Sequence, residues 1–139
     1  MLYLDTSIVV TLFTLEPATA MTKDWVDSRD ADDFAISEWV TTEFFSALGT
    51  KVRISAISPE AAAGAELRFA RYRDQFSIVD FHNRYFLDAG RYLMSRSTAL
   101  RANDALHLAI AAGSSATLCT RDRRFADAAA AIAHPVELI

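Results

Sequence analysis

The 139 residues, 52% of them hydrophobic and 23% charged, fit one compact domain that spans the whole chain. The absence of any apolar run of about 18 residues excludes a membrane span, and a single cysteine, Cys119, excludes an internal disulfide and favours a reducing cytoplasmic location. The net charge of −4 disfavours nonspecific binding to nucleic acid, although twelve of the fourteen basic residues are Arg, which binds phosphate well.

Short apolar strands alternate with helices along the chain. The first half predicts a strand at Met1–Leu4, a helix that follows Asp5-Thr6-Ser7 and runs through Leu15, a helix at Ala18–Ser28 begun by Pro17, a strand at Phe34–Ile36, and a long helix from Glu38 to about Ile54 with Ser37 as its N-cap. The second half predicts a helix from Ser58-Pro59-Glu60 to Arg73, a strand at Phe76–Val79, a helix from about Asn83 to Ser95, an Ala-rich helix capped by Asn103 or Asp104 and ending at Ala112, a strand at Ala116–Cys119, a helix at Phe125–Ile132 and a strand at Val136–Ile139. This alternation predicts a parallel sheet covered by helices on both faces.

Four of the eighteen acidic residues lie at positions typical of a functional site. Asp5 and Asp122 each follow a predicted strand, at the sheet edge where such folds bind ligands. Glu43 lies on the apolar stripe of its helix, where an unpaired charge is costly. Asp104 opens a helix that is apolar almost all round. Taken singly, each has a simpler explanation: capping for the three aspartates, and an Arg salt bridge for Glu43.

If these four carboxylates converge at the edge of the sheet, they repel one another. Two unit charges about 5 Å apart cost about 3 kcal/mol at an effective dielectric constant of about 20. Protonation or a bound divalent cation must relieve such repulsion. Oxygen ligands without a Cys or His cluster favour Mg²⁺ or Mn²⁺ over Zn²⁺.

The strings LDTS at Asp5, SEWVTTEF at Glu43, LRANDALHLAIA at Asp104 and TRDRRF at Asp122 resemble the PIN-domain nucleases, and within them the VapC-type toxins of bacterial toxin–antitoxin modules. The resemblance implies a three-layer α/β/α sandwich with a five-stranded parallel sheet. It also implies RNA cleavage dependent on Mg²⁺ or Mn²⁺, with the four acids as metal-binding and catalytic residues. Thr120 matches a hydroxyl position often found beside the last acid. The implied partners are a second copy in a homodimer and an antitoxin whose C-terminal segment occupies the active-site groove.

Several neighbours of these acids have two interpretations. Thr120 is a candidate to orient the attacking water or a phosphate oxygen, or else a hydroxyl that stabilises a turn. Arg121, Arg123 and Arg124 are candidates to steer the RNA backbone, or else residues of a solvated helix start. His107, one turn after the third acid, is expected to be a buried core residue rather than a catalytic one.

Other functions remain open at this point. A phosphoryl-accepting signalling domain is expected to carry a Lys near its last strand, but Lys51 is the last Lys of this chain. An aspartyl phosphatase is expected to carry a second acid two residues after Asp5, where Ser7 stands. Nucleotide-binding folds are disfavoured because neither a P-loop nor a G-x-G-x-x-G string occurs. A non-catalytic partner in a DNA-bound toxin–antitoxin repressor complex is the remaining alternative, which metal-dependent RNA cleavage by the free protein would exclude.

Overall fold

Five strands, with one or two helices between successive strands and seven helices in all, form residues 1–95 and 99–139, the part of the chain that the computed structural model describes. In chain order they are β1 (Leu2–Leu4), α1 (Thr6–Thr14), α2 (Thr19–Asp27), β2 (Phe34–Ile36), α3 (Glu38–Arg53), α4 (Pro59–Tyr72), β3 (Ser77–Ile78), α5 (Arg84–Met94), α6 (Ala102–Gly113), β4 (Thr117–Thr120), α7 (Arg123–Ala131) and β5 (Val136–Leu138). Two short 3-10 turns, Ala31–Asp33 and Arg73–Gln75, precede β2 and β3. The predicted order of elements is confirmed.

The five strands form one parallel sheet in the order β3-β2-β1-β4-β5. Leu2 of the central strand β1 pairs with Phe34 of β2 on one side and with Thr117 of β4 on the other. The strand order reverses between β1 and β4, and in parallel sheets ligands bind beyond the carboxyl ends of the strands at this switch point. The predicted α/β fold with a five-stranded parallel sheet is confirmed.

The core consists of the strands and the helix faces packed on them. Tyr3, Leu4 and Leu118 are fully buried in the sheet, and the rings of Phe44 and Phe69 pack 4.4 Å apart between α3 and α4. Every residue from 105 to 111 in α6 is buried, as a sequence that is apolar at every one of these positions except His107 predicts. Within the two described segments, no helix is both long and apolar enough to cross a lipid bilayer.

The start of α6 differs from the prediction. Neither Asn103 nor Asp104 caps this helix, because it begins at Ala102, and Arg101 in the N-cap position makes no side-chain cap. Asp104 instead lies in the first turn, where the positive end of the helix dipole favours an acidic side chain. The predicted capping role of these two residues is therefore wrong.

Two other helix starts also differ in detail. Ser37 occupies the predicted N-cap position of α3, but its hydroxyl makes no cap and lies 2.8 Å from the hydroxyl of Tyr3. Helix α7 begins at Arg123 rather than Phe125, because Asp122 caps it two residues earlier than predicted. Ser37 thus contacts the sheet, and Asp122 contacts the backbone of α7.

Candidate active site

Asp5 follows β1 and is the N-cap of α1, with only 5% of its surface exposed. Its Oδ1 accepts hydrogen bonds from Ser7 N at 2.9 Å, Ser7 Oγ at 2.5 Å and Ile8 N at 3.3 Å. Its Oδ2 accepts one from Thr120 Oγ1 at 2.7 Å. Burial raises the pKa of Asp5, and the charge of His107 together with these hydrogen bonds offsets only part of the rise. An ionised Asp5 therefore has a net electrostatic cost, which a cation would relieve.

Two hydroxyl groups connect Asp5 to the turn that follows β4. Thr120 is the last residue of β4 and is fully buried, and its Oγ1 also accepts a hydrogen bond from Asp122 N at 3.0 Å. Ser7 Oγ accepts one from Arg121 N at 2.9 Å. Thr120 therefore stabilises the turn and also contacts a candidate site acid. Its proposed contact with water or phosphate stays a prediction.

Glu43 projects from α3 and contacts two other elements through a single oxygen. Its Oε2 accepts hydrogen bonds from Thr6 Oγ1 at 2.6 Å and from His107 Nε2 at 2.6 Å. Burial opposes ionisation, but hydrogen bonds from His107, Thr6 and Asn103 outweigh it and hold the pKa of Glu43 below its usual range. The partner of this acid is thus a histidine, not the arginine that the salt-bridge alternative required.

His107 connects this carboxylate to the centre of the sheet. It is only 2% exposed, and its Nδ1 lies 2.9 Å from the hydroxyl of Tyr3. The expectation of a buried core histidine is confirmed. Sequence reasoning nevertheless missed the contact with Glu43, and the available signal was its position one turn after Asp104 on an otherwise apolar helix.

Asp122 lies close enough to Asp104 for its negative charge to oppose the ionisation of Asp104. Asp104 is half-buried, and its pKa is raised by burial and further by the negative charge of Asp122. Asp122 caps α7 through Oδ1, which accepts from Arg124 N at 2.8 Å and Phe125 N at 3.2 Å. Both acids line a cleft of about 50 Å³, large enough for a water molecule. Leu100, Arg101 and Arg124 are among its other lining residues.

The donor set of the site fits a hard divalent cation such as Mg²⁺ or Mn²⁺, because its acidic groups offer only carboxylate oxygens. Asp5, Glu43 and Asp104 each interact electrostatically with His107, and Asp104 also with Asp122. Among residues 1–95 and 99–139, however, no three His, Cys, Asp or Glu side chains are already arranged to hold a metal ion. The four acids thus share one neighbourhood, and their joint coordination of a metal stays a prediction.

The three arginines around Asp122 have different environments. Arg121 is half-buried and donates from Nη1 to Thr11 Oγ1 at 2.8 Å, while its buried Nε has no hydrogen-bond partner in the described part of the chain. Arg123 and Arg124 are exposed at the start of α7. Arg124 lines the cleft together with the exposed Arg101, and contact of Arg121, Arg123 or Arg124 with RNA stays a prediction.

Comparison with known proteins identifies the family. The sequence profile of the PIN domain matches residues 2–131, a span that contains all four candidate acids. The chain belongs to the PIN-domain family. Ribonuclease VapC35 of Mycobacterium tuberculosis is 35% identical over 148 residues, covering 95% of this chain and 92% of that protein.

Solved structures share the same PIN fold at lower identity. VapC20 of Mycobacterium tuberculosis, a sarcin–ricin loop cleaving toxin, superposes with a TM-score of 0.72 at 16% identity and covers 96% of each chain. A toxin–antitoxin complex from Klebsiella pneumoniae superposes with a TM-score of 0.64 at 20% identity and covers 91% of each chain. The PIN domain described here thus aligns over nearly its full length with these structures.

Proposed function

We propose that this PIN domain is a metal-dependent ribonuclease and the toxin of a toxin–antitoxin pair, with residues 1–139 forming one domain. The observation that carries the proposal is the buried carboxylate of Asp5 at the switch point of the sheet, with Glu43, Asp104 and Asp122 in the same neighbourhood. The 35% identity to Ribonuclease VapC35 supports RNA as the substrate. The reaction proposed is hydrolysis of phosphodiester bonds in RNA.

In this proposal Asp5 and Asp104 bind Mg²⁺ or Mn²⁺ most directly, and Glu43 and Asp122 complete the site directly or through waters. The raised pKa values of Asp5 and Asp104 support these roles, because burial makes their ionised forms unfavourable until an opposite charge is bound. When bound, the cation supplies activation of a water molecule and stabilisation of negative charge on the phosphoryl oxygens.

The chain's own side chains hold the acids and attract the substrate. Thr120 donates to Asp5 and so orients that carboxylate from the end of β4. Arg123 and Arg124 are exposed next to the cleft, where positive charge attracts the phosphate backbone despite the net charge of −4. We propose that Arg123 and Arg124 contact RNA, and that Arg121 has a structural role through its hydrogen bond to Thr11.

The proposed partners are a second copy of the chain and an antitoxin that occupies the active-site groove. The toxin–antitoxin complex from Klebsiella pneumoniae shares the fold and supports the second partner. Large apolar side chains on α5 support an interface with another protein chain. Phe86, Leu87 and Met94 are 57%, 69% and 85% exposed in the single chain. Sedimentation of the free chain tests the dimer independently of its activity.

The test is cleavage of total cellular RNA by the purified chain, free of any antitoxin, with Mg²⁺, Mn²⁺ or EDTA. We expect cleavage that requires metal and disappears in Asp5→Asn and Asp104→Asn. Asp127→Asn is the matched control, since this exposed acid lies on α7 outside the site. A folded wild-type chain that neither cuts RNA nor binds Mn²⁺ in calorimetry would show that the acids have a structural role only.

A further inference from the structure

A row of buried hydrogen bonds joins the sheet to Glu43. The hydroxyl of Ser37 lies 2.8 Å from that of Tyr3, the Tyr3 hydroxyl lies 2.9 Å from His107 Nδ1, and His107 Nε2 lies 2.6 Å from Glu43 Oε2. Ser37 and Tyr3 are fully buried and His107 is 2% exposed. The row thus connects β1, α6 and two points of α3 through side chains that solvent does not reach.

The chemistry of these groups fixes the direction of the last bond. Thr6 Oγ1 and His107 Nε2 both lie 2.6 Å from Glu43 Oε2, and an ionised carboxylate only accepts hydrogen bonds, so Nε2 of His107 carries the proton. The Tyr3 hydroxyl lies within hydrogen-bond distance of both His107 Nδ1 and Ser37 Oγ. A phenol both donates and accepts, which lets Tyr3 satisfy His107 and Ser37 at once. The hydroxyls of Ser37 and Tyr3 and both ring nitrogens of His107 therefore each have a partner.

We propose that His107, braced by Tyr3, is the residue that positions the Glu43 carboxylate in the active site. This inference rests on the proposed metal-dependent cleavage. A glutamate side chain has several rotatable bonds, and the hydrogen bonds from Thr6 and His107 to one oxygen restrict how the carboxylate turns. Those two bonds use about half of the four acceptor positions of an ionised carboxylate.

His107 is suited to this task because its ring cannot easily reorient. Nδ1 is held by Tyr3, and the ring packs between that of Tyr3, at a centroid distance of 5.8 Å, and that of Phe125, at 6.4 Å. A residue held on both sides transmits the rigidity of the core to the carboxylate it contacts. Such outer partners of metal-binding side chains are worth about 10- to 100-fold in metal affinity or activity.

Two amide substitutions of His107 distinguish a role in positioning Glu43 from a role in packing the core. His107→Gln places an amide nitrogen near the Nε2 position and keeps a donor to Glu43. His107→Asn places its amide near the Nδ1 position, so that it keeps the contact with Tyr3 and loses the one with Glu43. We measure the Mn²⁺ dissociation constant by calorimetry, kcat and KM for RNA cleavage, and the thermal midpoint of each variant.

We expect His107→Asn to weaken Mn²⁺ binding and to lower kcat by about 10- to 100-fold. His107→Gln should show only a small part of this loss, although its thermal midpoint is similar to that of His107→Asn. Tyr3→Phe, which removes the brace alone, should lie between the two. Adding His107→Asn to Glu43→Gln should have little further effect, because both changes disrupt the same contact. His82→Asn, at an exposed position before α5, is the control for loss of a histidine.

Two results would overturn the inference. One is equal loss in the Gln and Asn variants in proportion to their lower thermal midpoints, which would show a packing role. The other is unchanged Mn²⁺ binding and kcat in His107→Asn while the wild type binds metal and cuts RNA. A wild type that does neither would overturn the proposed function itself, so the two failures are distinguishable.

Discussion

Thr120→Val tests how the protein accommodates the buried charge of Asp5. Valine has nearly the shape of threonine, so the substitution removes two hydrogen bonds and little volume: the bond to Asp5 Oδ2 at 2.7 Å and the one from Asp122 N at 3.0 Å. A lost bond to a charged group costs about 1.5–3 kcal/mol, and an unpaired N–H adds at least about 1 kcal/mol. We therefore expect a loss of about 3 kcal/mol, a large part of a typical net stability of about 5–15 kcal/mol.

Urea denaturation followed by tryptophan fluorescence, in metal-free buffer, measures this free energy of unfolding. Thr120→Ser is the matched control, because it keeps the hydroxyl and loses one methyl group worth about 0.8 kcal/mol. Burial raises the folded pKa of Asp5 above its unfolded value, so this residue favours folding at low pH and that contribution is lost as the pH rises through the folded pKa. Without the Thr120 donor the folded pKa rises further. The cost of the valine should therefore be larger at about pH 8 than at about pH 5.

The reasoning is refuted if the valine and serine variants are equally stable at neutral pH. It is also refuted if the cost of the valine grows as the pH is lowered. Either result would mean that the Thr120 hydroxyl does not stabilise the charged form of Asp5.

Two further predictions concern residues away from the acids. Gly113→Ala should destabilise the fold by about 1–3 kcal/mol, because a Cβ there would collide with the ring of Tyr85. Gly90→Ala meets open space on α5 and should stabilise the fold by up to about 1 kcal/mol. Equal effects of the two substitutions in urea denaturation would contradict the steric argument. Burial lowers the pKa of His134 in the folded chain below its value in the unfolded chain. The unfolded chain therefore binds a proton at this residue more readily than the folded chain does. The free energy of unfolding should fall as the pH drops from about 6.5 through the folded pKa. His134→Gln should flatten this part of the pH profile, and a profile parallel to that of the wild type would contradict the assignment.

The order of the elements was predictable because it is encoded by local sequence. Six apolar residues among positions 105–111 predict that the helix after Asp104 is buried, and short β-rich runs predict the strands. The start of that helix was not predictable from side-chain capping preference alone. Ala102 already lies within the helix and Arg101 makes no side-chain cap, so the capping residue expected at Asn103 or Asp104 is absent.

The site was predictable to the extent that its acids follow strands or lie on apolar helix faces. The environment of Asp5 and the contacts of His107 were not, because their partners are distant in sequence. His107 lies 64 positions from Glu43 and 104 from Tyr3 in the sequence, and the tertiary packing of α3, α6 and β1 brings the three residues together. A local pattern therefore indicates a buried histidine and cannot show what it binds.

The central position of β1 has a consequence for synthesis of the protein on the ribosome. Thr120 follows Asp5 by 115 positions, and one of the two strands that flank β1 is β4. A nascent chain that has emerged only as far as α6 holds three of the four acids, but it lacks both the Thr120 donor and Asp122. The proposed catalytic centre therefore cannot form before β4 and the turn after it have been synthesised. For the proposed toxin, a chain whose synthesis stops within α6 should therefore be inactive.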